Sequence, residues 1–153
     1  GPVVILGAGG ASRAIVAGLL DAGAPEIRIA NRRAVRSDAI RDEFGSLVRP
    51  VPWEQRADAL GDATLLVNTT SLGMEGQPAL EMDLAKLPAT SMVYDIVYVP
   101  LETPLLAAAR ARGNPAVDGL GMLLHQARPG FREWFGTDPV VDQALRDHVL
   151  AAL

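Results

Sequence analysis

Apolar residues in this chain arrive in short bursts, separated by glycines or by stretches with helical spacing. Val3–Leu6 is an uninterrupted apolar run that stops at Gly7, the pattern of a strand buried on both faces of a parallel sheet. From Ala11 to about Ala22, Ile15, Val16, Leu19 and Leu20 share one side of a helix. Ala14 and Gly18 are small enough to let that helix approach a sheet, and Gly23 is placed to end it. Glu26–Ala30 reads as a second strand, Val35–Phe44 as a helix closed by Gly45, and Leu47–Val51 as a third strand. Trp53–Leu60 fits a short helix and Thr64–Val67 a fourth strand. Gly76–Thr90, with two prolines and mixed polarity, predicts a connection or irregular helix rather than an interdomain linker. Ser91–Val99 is the fifth strand. Thr103-Pro104 pairs an N-cap with proline at the first helical position, predicting a helix to about Arg112. Pro115–Val117 is a last short strand. A long helix follows from about Gly119 to Phe135, which Pro129 should kink or restart. Asp138-Pro139 repeats the cap signal for a terminal helix, Pro139–Leu153. Strands alternating with helices predict an α/β, doubly wound parallel sheet.

Composition narrows the class without naming a chemistry. The 153 residues suit one domain, and 49% hydrophobic with 21% charged content is ordinary for a folded globular chain. No apolar run approaches the roughly 18–20 residues of a membrane helix, and no signal-peptide pattern opens the chain. A net charge of −4 argues against nucleic acid as a partner. Cysteine is absent and there are only two histidines, His125 and His148, so no metal site is expected. The cytoplasm is the simplest compartment. Of the 14 basic residues only Lys86 is lysine, which leaves a single candidate for any lysine-based acid–base step.

The chemistry begins where the first strand ends. In Gly7-Ala8-Gly9-Gly10-Ala11, Gly7 permits the strand-to-helix turn and Gly9 lets the backbone come close to a pyrophosphate. The helix behind offers free N–H groups and a positive dipole end. Ser12 stands where a third small residue is expected. After the second strand come Asn31-Arg32-Arg33-Ala34-Val35-Arg36, where NAD-binding folds place a carboxylate for the ribose hydroxyls. Arg32, Arg33 and Arg36 would instead pair with a 2′-phosphate, favouring NADP, although a solvated basic patch accounts for at least one of them. The sequence thus predicts a Rossmann-like NADP-binding domain.

Three further segments point at the same sheet edge. Asn68–Met74 supplies Thr70 and Ser71 on a loop that suits a ribose and nicotinamide, or simply a turn. In Tyr94–Pro100, strand alternation groups Tyr94, Ile96 and Tyr98, so Ile96 could flank a nicotinamide ring and Tyr98 reach a substrate; a core strand fits as well. A helix starting at Gly119 would line up Gly119, Met122 and Gln126 on one stripe and turn His125 away from it. Asp95 and Asp118, at strand ends, read as structural caps; Trp53 and Trp134 read as packing residues.

Taken together, GAGGASRA, NRR, NTTSLGM, YDIVY and DGLGMLLHQA resemble, in order and spacing, the shikimate dehydrogenases, and nearly all of the chain is similar to their C-terminal NADP-binding domain. The resemblance implies reversible, NADP-dependent reduction of 3-dehydroshikimate to shikimate in aromatic amino-acid biosynthesis. It implies that Gly7, Ala8, Gly9, Gly10 and Ala11 hold the pyrophosphate, and Asn31, Arg32, Arg33, Ala34, Val35 and Arg36 the adenosine 2′-phosphate region. Thr70, Ser71, Ile96, Gly119 and Met122 would line the nicotinamide half, while Tyr98 and Gln126 face the substrate. Arg33 departs from the family, which usually has threonine there. The family's catalytic lysine and aspartate belong to an N-terminal substrate domain, and neither of its motifs occurs here. No catalytic residue is therefore assigned in 1–153, and Lys86 sits in no catalytic context. The cofactor strand stands at residue 3, so that domain is expected elsewhere, in a monomer or homodimer. The quinate/shikimate branch that uses NAD, and a non-catalytic NADP-sensing module, are the competing expectations.

Overall fold

The computed structural model describes residues 1–152. Six parallel strands form one sheet in the order β3-β2-β1-β4-β5-β6. They are β1 (Val3–Leu6), β2 (Ile27–Asn31), β3 (Val48–Pro52), β4 (Leu65–Asn68), β5 (Met92–Asp95) and β6 (Ala116–Val117). The helices are α1 (Gly10–Asp21), α2 (Ala34–Phe44), α3 (Pro104–Ala111), α4 (Leu120–Phe135) and α5 (Gln143–Leu150). Strand order reverses between β1 and β4, the point at which open α/β sheets leave a crevice at their carboxyl edge.

Alternation along β1 divides the core. Val3 and Ile5 join Val16, Ile27, Ile29, Ile40, Val48 and Val67 on the face that also packs the half-buried Ile15, Leu19 and Leu20 of α1. Val4 and Leu6 face Leu66, Val93, Leu105, Leu106 and Ala109 on the other side, under α3. Burial on both faces explains why β1 has no polar residue. Residues 76–90 add Leu80, Leu84 and Leu87 to this second face without forming a helix or strand, so this connection is part of the core.

The local signals mark most boundaries. α1 ends in a Schellman arrangement, with Gly23 at φ +83°, its N–H on the Leu20 carbonyl (2.9 Å), and the Ala24 N–H on Leu19 (2.9 Å). Gly45 closes α2 and Thr103 caps α3, accepting from the Leu106 N–H.

Several expectations need correction. Ala14 and Gly18 are exposed; the face that meets the sheet carries the buried Ser12 and Val16 instead. Residues 53–60 form two 3₁₀ turns, Trp53–Gln55 and Asp58–Leu60, rather than one helix. The fifth strand stops at Asp95 because the Asp95 carboxylate takes the Val97 N–H (3.0 Å), ending the ladder after Ile96 bonds the Asn68 carbonyl (3.1 Å). Pro129 does not interrupt α4; the surface around it is exposed, so water can reach the carbonyl left without a partner.

Trp134 is not a packing residue either. It is 80% exposed, and Phe135 is 65% exposed beside Phe131, so the aromatic residues of the outer half of α4 stay largely uncovered, while Arg128 of that half pairs with Asp138. The terminal helix begins at Gln143, capped by Asp142, not at Pro139. Its expected end at Leu153 lies outside the described residues. α5 docks on this body through Arg146, which pairs with Asp118 at 2.6 Å, and through Leu150 beside Tyr98 and Leu101. Among the described residues no helix is long and apolar enough to cross a membrane.

The packing predicts a contrast in stability. Ile5→Ala removes a fully buried side chain from the central strand and should cost about 2–5 kcal/mol, whereas Trp134→Ala should stay within about 0.5 kcal/mol. Chemical denaturation of the 153-residue chain measures both.

Candidate functional site

The last rung of the sheet pairs Val51, Ala30, Leu6, Asn68 and Asp95 across five strands, so the loops that follow all leave from one edge. Gly7 begins the first. Its φ of +100° disfavours a side chain, and a Cβ there would lie 2.8 Å from Thr69 Oγ1 and 3.0 Å from Thr70 Cγ2. Thr69 locks the facing loop, since its N–H and its hydroxyl both donate to the Leu6 carbonyl, at 2.8 and 2.7 Å. The turn after β1 and the turn after β4 are thus in van der Waals contact.

Gly9 differs from Gly7: nothing lies within 4 Å of a Cβ built on it, and it opens to solvent as the N-cap of α1. No side chain caps this helix end and its first turn holds no acid, which leaves the backbone N–H groups and the positive dipole end to an anion. Ser12 is fully buried one turn in, its hydroxyl donating to the Gly9 carbonyl at 2.6 Å, which fixes the turn from beneath. Gly10 and Ala11 are exposed at the same end.

A groove of about 180 Å³ runs past this turn, lined by Gly7, Ala8 and Gly9, by Asn31, Arg32 and Arg36, by Trp53, and by Thr69–Leu72. Asn31 is held in place by donating to the Arg33 carbonyl (2.8 Å). Arg32 and Arg36 make no ion pair among the described residues, so their charge faces the groove uncompensated. Arg33, the N-cap of α2, and Val35, 72% exposed, lie outside it. Ala34 lines a neighbouring hollow of about 310 Å³ with Arg32 and Trp53.

The second cavity, about 490 Å³, shares Thr69, Thr70 and Ser71 with the groove. Its other walls are Ile96–Val99, Met122, and Met74 with Glu75. The burial alternation expected of a longer strand persists past Asp95: Val97 is buried, whereas Ile96 and Tyr98 are half-buried and border the cavity.

Gly119 is not among the residues bordering the cavity or the groove. It is buried, and a Cβ would meet the Ile96 carbonyl oxygen at 2.1 Å, so it permits α4 to start against the exit of β5. Asp118 caps that start by accepting from Leu120 N–H (3.0 Å). Met122 reaches the cavity, but Gln126, one turn further, is exposed and borders none of these hollows. His125 is exposed too.

Beneath the cavity lies a charged group whose place at a strand end reads, in the sequence, as a structural cap. Asp95 is fully buried; its carboxylate accepts from Asn68 Nδ2 (2.9 Å), Val97 N–H (3.0 Å) and Thr103 Oγ1 (2.7 Å). Burial pushes its carboxyl above the usual carboxylate range, against the pull of those donors. Burial, helped by Asp118 and Asp95, likewise pushes the Tyr94 phenol up.

Trp53, which reads as packing in the sequence, lines the site, as do Thr69, Leu72 and Met74 of the Asn68–Met74 segment and Glu75, none of which the sequence assigns a site role. Trp53 follows β3 directly, and its position at the carboxyl edge was the available signal. Arg56 stacks its guanidinium 4.6 Å from the indole centre and donates to the Trp53 carbonyl. Lys86 lies outside these cavities, paired with Asp58.

Chemically, the arrangement can hold an elongated anion. A dinucleotide phosphate fits the donor set: a free helix terminus beside an open Gly9, two unpaired guanidiniums at one end, and a mixed apolar cavity at the other.

Comparisons with known proteins agree with this geometry. A family model described as shikimate / quinate 5-dehydrogenase matches residues 2–99. A shikimate dehydrogenase (NADP(+)) of Paramagnetospirillum magneticum is 60% identical over 151 residues, covering 99% of this chain and 55% of that protein. The shikimate dehydrogenase (NADP(+)) of Paracoccus denitrificans is 55% identical, over 99% of this chain and 54% of its own length. Among solved structures, a shikimate 5-dehydrogenase from Thermus thermophilus in complex with NADP(H) and shikimate superposes with a TM-score of 0.83 at 37% identity, over 99% of this chain and 55% of that one. A quinate dehydrogenase from Corynebacterium glutamicum in complex with NAD gives 0.89 at 32% identity, over 99% and 55%. The chain spans about half the length of the curated relatives it matches.

Two glycines should separate packing from access. Gly119→Ala forces a methyl into backbone atoms and should cost about 1–3 kcal/mol or more, while Gly9→Ala should change stability by less than about 0.5 kcal/mol. Thermal denaturation of both variants reads the difference.

Proposed function

The chain belongs to the shikimate / quinate 5-dehydrogenase family, and we propose that it is the NADP-binding part of a shikimate dehydrogenase that reversibly reduces 3-dehydroshikimate to shikimate. One observation carries the reading. The basic groove at the glycine turn and the apolar cavity beside Tyr98 meet at Thr70 and Ser71, so one elongated cofactor can reach from the first into the second.

In this reading, Gly7–Ala11 and the start of α1 hold the pyrophosphate on backbone N–H groups. Arg32 and Arg36 fork onto the adenosine 2′-phosphate, with Asn31 fixing the turn that carries them. Ala34 and Val35 shape the loop, and Arg33 is a solvated neighbour that strengthens the local positive field. Thr70, Ser71, Ile96 and Met122 enclose the nicotinamide end, and Gly119 lets α4 close that wall. Bound NADPH would supply the hydride to the substrate carbonyl carbon, and NADP+ would accept it in the reverse direction. The chain's own residues orient and shield: Ile96 and Met122 exclude water, and Tyr98 offers a phenol to the substrate from the cavity rim. Gln126 is assigned to the substrate side on the resemblance alone, and its exposed place on α4 fits a group that meets substrate across a cleft.

Proton transfer is assigned to a second domain in the full-length protein. Support for such a domain comes from the relatives, roughly half of whose length lies outside the match, and from the uncovered Phe131, Trp134 and Phe135 on α4. Residues 1–153 then act as one cofactor domain, in a cytoplasmic enzyme of aromatic amino-acid biosynthesis. The NAD-bound quinate relative keeps the NAD-using branch in view, but positions 31–33 hold no carboxylate to receive both ribose hydroxyls.

Two measurements test the proposal. The full-length protein should reduce NADP+ in the presence of shikimate, and NAD+ far more slowly; absence of turnover, or a preference for NAD+, contradicts it. By calorimetric titration, Arg32→Ala and Arg36→Ala should each weaken NADP+ about 10- to 100-fold and leave NAD+ within about threefold.

A further inference from the structure

Among the described residues, Asp95 is the one fully buried charged residue, and the proposed function leaves it without a task. It makes no ion pair among the described residues, so its charge is balanced by hydrogen bonds alone. Thr103 Oγ1 accepts the Leu106 N–H at the start of α3 (3.3 Å), so its own proton points to Asp95. Asn68 Oδ1 takes both the N–H and the hydroxyl of Thr70, at 3.0 and 2.8 Å, which leaves Asn68 Nδ2 to donate to Asp95 and to the Leu72 carbonyl. Thr70 Oγ1 in turn accepts from Leu72 N–H at 3.1 Å. Every neighbour donates, and the carboxylate only accepts.

A charge is not what this position needs for packing. An apolar residue would fill the end of a buried strand without a desolvation cost, and the burial-raised carboxyl of Asp95 is a sign that the cost is carried. What the carboxylate does that an apolar residue would not is join two walls of one cavity. Through Asn68 it sets Thr70 and the loop leading to Ser71. Through the Val97 N–H it turns the chain out of β5, so that Ile96 and Tyr98 border the same cavity from the opposite side.

We propose that Asp95 is a positioning residue, whose buried carboxylate holds the loop carrying Thr70 and Ser71 in register with the segment carrying Ile96 and Tyr98. It touches neither cofactor nor substrate and acts through Asn68, Val97 and Thr103. The assignment rests on the functional reading above, in which the first wall faces the nicotinamide and the second the substrate.

Asp95→Asn keeps the shape but gives the hub an N–H2 group that must face at least one of its donors. Thr103→Val removes one donor to Asp95 together with the side-chain cap of α3, and Thr103→Ser restores both. In the full-length enzyme, with shikimate and NADP+, Asp95→Asn and Thr103→Val should lower kcat about 10- to 100-fold. KM for shikimate and the Kd for NADP+ should stay within about threefold, and Thr103→Ser should keep kcat within about twofold of wild type. If Asp95→Asn fails to fold, the Thr103 pair decides alone. Folded variants with a lower Tm but an unchanged kcat would make the network merely structural and overturn the assignment. An inactive wild type would overturn the functional reading, and this assignment with it; an active wild type with insensitive variants overturns this assignment only.

Discussion

Parallel register is the constraint from which the site follows. Leu6 pairs with Asn68, and Asn68 with Asp95, so three strands finish on the same rung and release their chains side by side. Strand order reverses between β1 and β4, so α1 and the connection after β4 diverge and a crevice opens between them. The rung is also joined through its side chains, because Asn68 donates to Asp95 across the β4–β5 pair. Backbone pairing and side-chain bonding therefore specify one geometry. A one-residue slip of β5 would turn Asp95 toward the opposite face and bring Tyr94 into its place.

Above that rung, glycines decide which backbones touch and which remain open. Gly7 and Gly119 sit where a Cβ would collide with Thr69 and with the Ile96 carbonyl, so they bring neighbouring loops into contact. Gly9 has open space around it, which suits a ligand and nothing in the protein. The electrostatics point the same way. An uncapped helix end and the unpaired Arg32 and Arg36 give a local positive field on a chain whose net charge is −4. A negative chain that concentrates positive potential in one groove favours a polyanionic ligand there.

The sequence made legible whatever is determined by near neighbours. The glycine turn, the basic triplet after β2 and the Thr103-Pro104 cap each depend on a few adjacent residues, and each lies where its pattern indicated. Long-range features stayed hidden. Asp95 reads as a strand-end cap until Asn68 and Thr103 are brought to it. Leu80, Leu84 and Leu87 look like loop residues until they are seen filling the core under β4 and β5 without a helix. Trp53 reads as packing, although the end of β3 carries it to the rim of the groove. The helical stripe of Gly119, Met122 and Gln126 assumed one common surface, but the contact of Gly119 with Ile96 leaves only Met122 on the cavity. Trp134 erred the other way, since its apolar character promised burial that these residues do not supply.

The central claim is that one extended cofactor occupies the basic groove and the adjoining cavity together. Backbone amide NMR of the 153-residue chain, titrated with NADP+, tests it most directly. The account predicts shifts at Gly9–Ser12, Arg32–Arg36, Thr70–Ser71 and Ile96–Tyr98, all moving with a single dissociation constant. Shifts confined to the glycine turn and the arginines, with Ile96–Tyr98 unmoved at saturation, would contradict it.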